Sequence, residues 1–156
     1  MFALNGLGKV AWVQGNDELA TKRFEESLRM SGKTGPKSAT LLALYGLGRV
    51  ALSHSDYDSA REFFPQASEI RLPKANELFS WISLKPYEAA TAYPLEGFAV
   101  LAAALNQMER AARLSGAMQS LYASIHFQMG AKERAEHAHA IASARAALGE
   151  EGFARM

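Results

Sequence analysis

The chain has 156 residues, 49% of them apolar and 21% charged, with 17 basic side chains against 16 acidic ones and no Cys. That length supplies one compact domain or a short repeat array, and that composition excludes a largely disordered chain. A net charge of +1 argues against a broad nucleic-acid or anionic-membrane footprint, and the lack of Cys excludes a disulfide framework, a thiolate metal site and a cysteine nucleophile.

No targeting or membrane segment is visible. The longest apolar run, Gly97 to Leu105, is about half of the roughly 20 residues a membrane helix needs. These features point to a soluble, cytoplasmic protein.

In chain order, the first signal is an internal repeat. The shift that carries Ala3 onto Ala43 also superposes Leu4, Gly6, Leu7, Gly8, Val10 and Ala11 on Leu44, Gly46, Leu47, Gly48, Val50 and Ala51. Ala20 and Phe24 recur as Ala60 and Phe64, and Lys9 becomes Arg49. Each unit reads as a helical hairpin. Leu4, Leu7, Val10 and Ala11 share one helical face. Gly15-Asn16-Asp17 is the turn, with Gly for the left-handed position and Asn or Asp as the next helix cap. Ala20, Phe24 and Leu28 stripe the second helix at i, i+4, i+8. Gly8 and Ala20 suit close helix approach, and Phe24 is expected to fill the gap toward the following unit.

In the second unit the first helix is expected from about Ser38 to Ser53, with a turn at His54-Ser55-Asp56 and a second helix from Tyr57. Pro65 lies inside that helix, so a kink or an early end is expected. A third unit starts with Leu95 to Leu105, turns at Asn106-Gln107 and continues from Met108. Ala111 takes the place of Ala20 and Ala60, Ala99 that of Gly8 and Gly48, and Asn106 that of the turn glycine. The insert before it, Leu72 to Ala92, predicts a short helix near Lys74 to Ser83 and a turn at Lys85-Pro86. Ala131 to Leu148 predicts a last helix, with Gly149 as its cap. The units so drawn span about 1–36, 37–71 and 93–130, with a capping helix over 131–156, in a single domain.

These positions resemble the tetratricopeptide repeat in its longer-unit form: Leu7, Gly8, Ala11, Ala20 and Phe24, then Leu47, Gly48, Ala51, Ala60 and Phe64. The resemblance implies an all-α, right-handed superhelix of antiparallel helix hairpins. A narrower resemblance rests on "ALNGLGKVAWVQGN", "LEGFAVLAAALNQMERAARLSGA" and "ERAEHAHAIASARAALGEEGFARM". These blocks are similar to the C-terminal repeat region of large bacterial ATP-binding regulators with LuxR-type or SARP-type DNA-binding domains. It implies a fragment or relic of such a regulator, used for sensing or protein contacts in transcriptional signalling.

The resemblance also places the first helix of each unit on the concave face. Phe2, Asn5, Lys9 and Trp12 fall there in unit one, and Leu42, Tyr45, Arg49 and Leu52 in unit two. Tyr93, Glu96, Val100 and Ala103 fall there in unit three. Helical spacing independently aligns Asn5, Lys9 and Trp12, and then Tyr45, Arg49 and Leu52. An aromatic, a cation and an amide on one groove suit an extended peptide or a helix, with Lys9 and Arg49 pairing to a carboxylate. The competing reading is half-buried packing with solvated cations. A clamp for chaperone tails is not expected, because Asn5 precedes Lys9 and Gly46 fills the second-unit position. A second contact candidate is Phe79, Trp81 and Tyr87, which either mark an exposed contact or fold over the array. The partner is expected to be a protein or peptide, including other domains of a larger regulator. The rival is a structural homodimer through apolar array ends near Phe2 and Phe153.

Other chemistry-bearing clusters point away from catalysis. Gly32-Lys33-Thr34 lacks the earlier Gly of a phosphate loop, since Ser27 is there, and a helix precedes it. His137 and His139 are two apart on a helix and diverge. Ser53, His54, Ser55 and Asp56 are neighbours on a turn, where Asp56 reads as a helix cap. No enzyme activity, cofactor, metal or direct nucleic-acid contact is expected.

Overall fold

A computed structural model describes residues 1–32, 35–70, 92–126 and 128–155. These residues form seven helices: α1 (Phe2–Val13), α2 (Asp17–Ser31), α3 (Lys37–Ser53), α4 (Tyr57–Glu69), α5 (Tyr93–Ala104), α6 (Met108–Ser124) and α7 (Ala131–Ala154). Among the described residues there is no strand. Successive helices pack as neighbours, α1 on α2, α3 on α4 and α5 on α6, and α2 and α4 each bridge to the next pair. This is the tetratricopeptide-like all-α repeat. The region of Phe79, Trp81 and Tyr87, with the helix near Lys74 to Ser83, lies outside the described residues.

Three equivalent turns join the helices of the pairs. Gly15, Ser55 and Asn106 hold the same place, and all are left-handed, with φ of 77°, 57° and 60°. Asn16 then caps α2 by accepting from the Leu19 amide at 3.1 Å, and Asp56 caps α4 by accepting from the Ser59 amide at 3.1 Å. Those hydrogen bonds hold the Asp56 carboxyl below its ordinary pKa. α4 runs through Pro65 to Glu69, so Pro65 does not end it.

Phenylalanine rings wedged between glycines stack the pairs. Phe24 lies against Gly8 of its own unit, where an added Cβ would come within 2.8 Å of the ring, and against Gly46 of the next unit. Phe64 lies in the same way between Gly48 and Gly97. A ring can lie on helix backbone only where no Cβ stands in the way, so the Gly pairs and the Phe define one another. In the third unit Ser115 takes the place of the Phe and Ala99 that of the Gly, and both are buried. The smaller side chain leaves room for the Ala methyl. The Phe64–Gly97 contact also carries the stacking across the insert.

α7 has a left-handed break at Gly149, at φ 71°. Its later turns pack Ala144 and Leu148 against Ala102, Ala111 and Ala112 of α5 and α6. No described helix is long and apolar enough to cross a membrane.

Candidate functional site

The repeat register brings Asn5, Tyr45 and Glu96 to one equivalent position on α1, α3 and α5. It brings Lys9, Arg49 and Val100 to another. Tyr45, Arg49 and Glu96 meet directly, and the first turns of α7 reach Lys9 and Arg49 through Glu133 and Glu136.

Arg49 is the hub. It is 1% exposed and pairs with Glu96 of α5 and with Glu136 of α7. It also donates to the Tyr45 hydroxyl at 2.8 Å. Its guanidinium lies 4.8 Å from the centre of the Trp12 ring. Glu96 accepts from Tyr45 at 2.9 Å and from Tyr122 of α6 at 3.0 Å. A carboxylate fully buried on a helix with no other charged residue is thus satisfied by a cation and two phenols. Burial works against the Arg49 charge, but Tyr45 and Glu96 outweigh it and raise its pKa. Burial and the Glu96 charge push the Tyr45 and Tyr122 hydroxyls well up, and Tyr93 up to about 12, so the phenols act as donors.

A second layer comes from the start of α7. Glu133 pairs with Lys9 at 2.5 Å. Burial raises the Glu133 carboxyl, but the hydrogen bond from Lys9 prevails and holds it below the usual range. Lys132 donates to the Trp12 carbonyl at 2.7 Å and lies 4.1 Å from the Trp12 ring centre. Trp12 therefore lies within cation–π distance of two cations. Burial lowers the pKa of Lys132 and of His137, the latter on the buried face of α7 with Nε2 unpartnered among the described residues.

The six expected contact residues therefore divide. Trp12, Tyr45 and Arg49 are brought together but are buried under α7 and α5. Asn5 is buried too and donates to the Ala39 carbonyl at 2.9 Å. Leu52 packs with Tyr45 and Phe64. The carboxylates expected from a partner at Lys9 and Arg49 are supplied within the chain, by Glu133, Glu136 and Glu96. Desolvating a guanidinium without a counter-charge is too costly, so the fold provides one. Lys9 alone keeps an open side chain, at 45% exposure.

Beside this network a cleft of about 230 Å³ remains open. Phe2, Leu42, Tyr45 and Tyr93 form its apolar wall, Gly6 and Gly46 its floor, and Lys9 and Glu133 its polar edge. Tyr45 and Tyr93 stack at 4.8 Å between ring centres. The cleft is smaller than the roughly 300–1,000 Å³ of a small-molecule site. Its size suits one large apolar side chain.

Sequence reasoning missed the part played by Glu96, Lys132, Glu133 and Glu136. Glu96 did carry a signal, as a lone carboxylate in the register of Asn5 and Tyr45. The α7 residues carried none, because an Ala-rich helix with charges all round does not show which face it buries.

The paired helices and their stacking define a helical-hairpin repeat. Residues 1–72 match the family model "Tetratricopeptide repeat", which supports a tetratricopeptide repeat domain there. Such repeats generally mediate protein–protein interaction and are typically non-catalytic scaffolds. No curated protein and no solved structure matches the chain.

Proposed function

We propose that this chain is a non-catalytic interaction domain that takes one apolar anchor side chain of a partner peptide into the cleft between α1, α3 and the start of α7. The observation that carries this reading is the cleft itself. It is aromatic-walled, sized for a single side chain, and edged by Lys9, whose side chain is 45% exposed. An anchor followed by a carboxylate fits best, because the carboxylate would share Lys9 with Glu133. A partner that drew Lys9 from Glu133 would loosen the first turn of α7 and shift the balance between seated and released α7. The three sequence blocks similar to bacterial transcriptional regulators support a setting in such a protein, where the shift would be read by another domain in the cytoplasm.

The test is selection from a displayed peptide library on the immobilised chain, with Phe2→Ser and Leu42→Gln as controls. The expected result is enrichment of peptides with a large apolar residue next to an acid. Their binding to either variant should be weaker by about tenfold or more, the effect of losing roughly 1.4 kcal/mol of anchor burial. Peptides that bind the variants as well as the native chain would place recognition elsewhere.

A further inference from the structure

α7 is held in two ways. Its later turns pack along α5 and α6, with Ala144 and Leu148 against Ala102, Ala111 and Ala112. Its first turns reach α1 and α3 through long side chains: Lys132 to the Trp12 carbonyl, Glu133 to Lys9 and Glu136 to Arg49. His137 follows directly after these contacts and is 3% exposed. Its Nε2 is buried and has no hydrogen-bond partner among the described residues. A histidinium donates from both ring nitrogens, and a buried charge needs a partner. The carboxylate that acts on the ring, Glu96 of α5, already accepts from Tyr45 and Arg49 of α3 and from Tyr122 of α6. Arg49 carries the same sign as the added proton would. Glu133, one turn back on α7, is taken by Lys9 of α1. Seated α7 therefore holds a neutral imidazole, whereas a released turn gives the charged ring to water.

We infer that the first turns of α7 form an acid-released latch: uptake of a proton at His137 frees Lys132 to His137 from α1 and α3, while the later turns stay on α5 and α6. Burial holds the His137 ring below its ordinary 6.5, against the pull of Glu96 and with the help of Arg49. Its contribution to seating is therefore fully present above pH 6.5 and is lost as pH falls through the seated value. Within that window each unit of pH multiplies the ratio of released to seated α7 by up to about ten. Glu133 is held below 4.5, so it keeps its charge while the ring titrates. Glu133 also lines the cleft, so release would leave Lys9 free for a partner's carboxylate. That consequence rests on the peptide reading; the latch needs no partner and is tested without one.

The test is a pH titration of the full isotope-labelled chain from 7.5 to 5.5, following the histidine rings, the amides and the Trp12 indole N–H. The expected result is a His137 midpoint below 6.5, with the Lys132 to His137 amides and the Trp12 indole moving in step and the amides of α3 and α4 unmoved. His137→Gln should abolish that movement. Glu136→Gln gives a second reading that leaves the histidine in place. Loss of a neighbouring carboxylate would by itself lower the midpoint, whereas a weakened latch raises it toward 6.5. Four results would overturn the inference: a ring that titrates while the α7 amides stay still, movement that persists in His137→Gln, loss of α3 and α4 together with α7, or a midpoint that fails to rise in Glu136→Gln.

Discussion

Arg49 and Glu96 show how strongly single residues organise this fold. Breaking a buried pair leaves the remaining charge desolvated, at a cost of about 3–5 kcal/mol. Arg49→Met is therefore expected to lower unfolding free energy by about that amount in urea titrations. The double variant Arg49→Met, Glu96→Leu should lose less than the single one, since no orphaned charge remains. A double variant as unstable as the sum of the two singles would contradict the coupling. His137 gives the pH dependence. Burial on the inner face of α7 holds its folded pKa below the ordinary value of 6.5, so the unfolded chain takes up the proton first as pH falls. The stability it contributes is present above pH 6.5 and is lost as pH falls through the folded value. Glu133, also depressed, acts in the same direction below its ordinary value of 4.5. The melting temperature should drop between pH 7.5 and 5.5, and drop less in His137→Gln. A flat native profile over that range would contradict this account.

Among the elements, the glycines of α1 and α3 separate packing from propensity. Gly46→Ala would push a Cβ into the Phe24 ring, and overpacking of this kind costs about 1–3 kcal/mol. Gly6→Ala at the equivalent place on α1 meets nothing, so helix propensity decides and the variant should gain up to about 1 kcal/mol. Thermal or urea unfolding of the two variants should give opposite signs. Equal effects would mean that the Phe24 wedge does not hold α2 to α3. The hairpins, their caps at Asn16 and Asp56 and the reach of Phe24 into the next unit were legible in the sequence, because each follows from local chemistry repeated from one unit to the next. Whether α4 would pass Pro65 with a kink or end there was not legible. An isolated proline penalty argues for a break, but the Phe64 wedge and the burial of Ala67 hold the helix on both sides of it.

For the molecule as a whole, the concave face is where sequence and structure part. Spacing aligned Lys9 with Trp12 and Tyr45 with Arg49, and in the structure Arg49 lies against both Trp12 and Tyr45. The cover of that face could not be read, because α7 joins it through contacts between distant parts of the chain, such as Arg49 to Glu136. Among the described residues, the first turns of α7 pack against Lys9, Trp12 and Arg49, and a cleft remains beside them. The most direct measurement of this arrangement is amide hydrogen exchange on the full chain, comparing the amides of Glu133 to Ala144 with those of α3. Seated α7 predicts protection of that stretch close to that of α3, falling selectively when Lys9→Met and Glu136→Gln remove its anchors while α3 and α4 stay protected. Exchange of the stretch as a free helix in the native chain, with α3 still protected, would contradict the account.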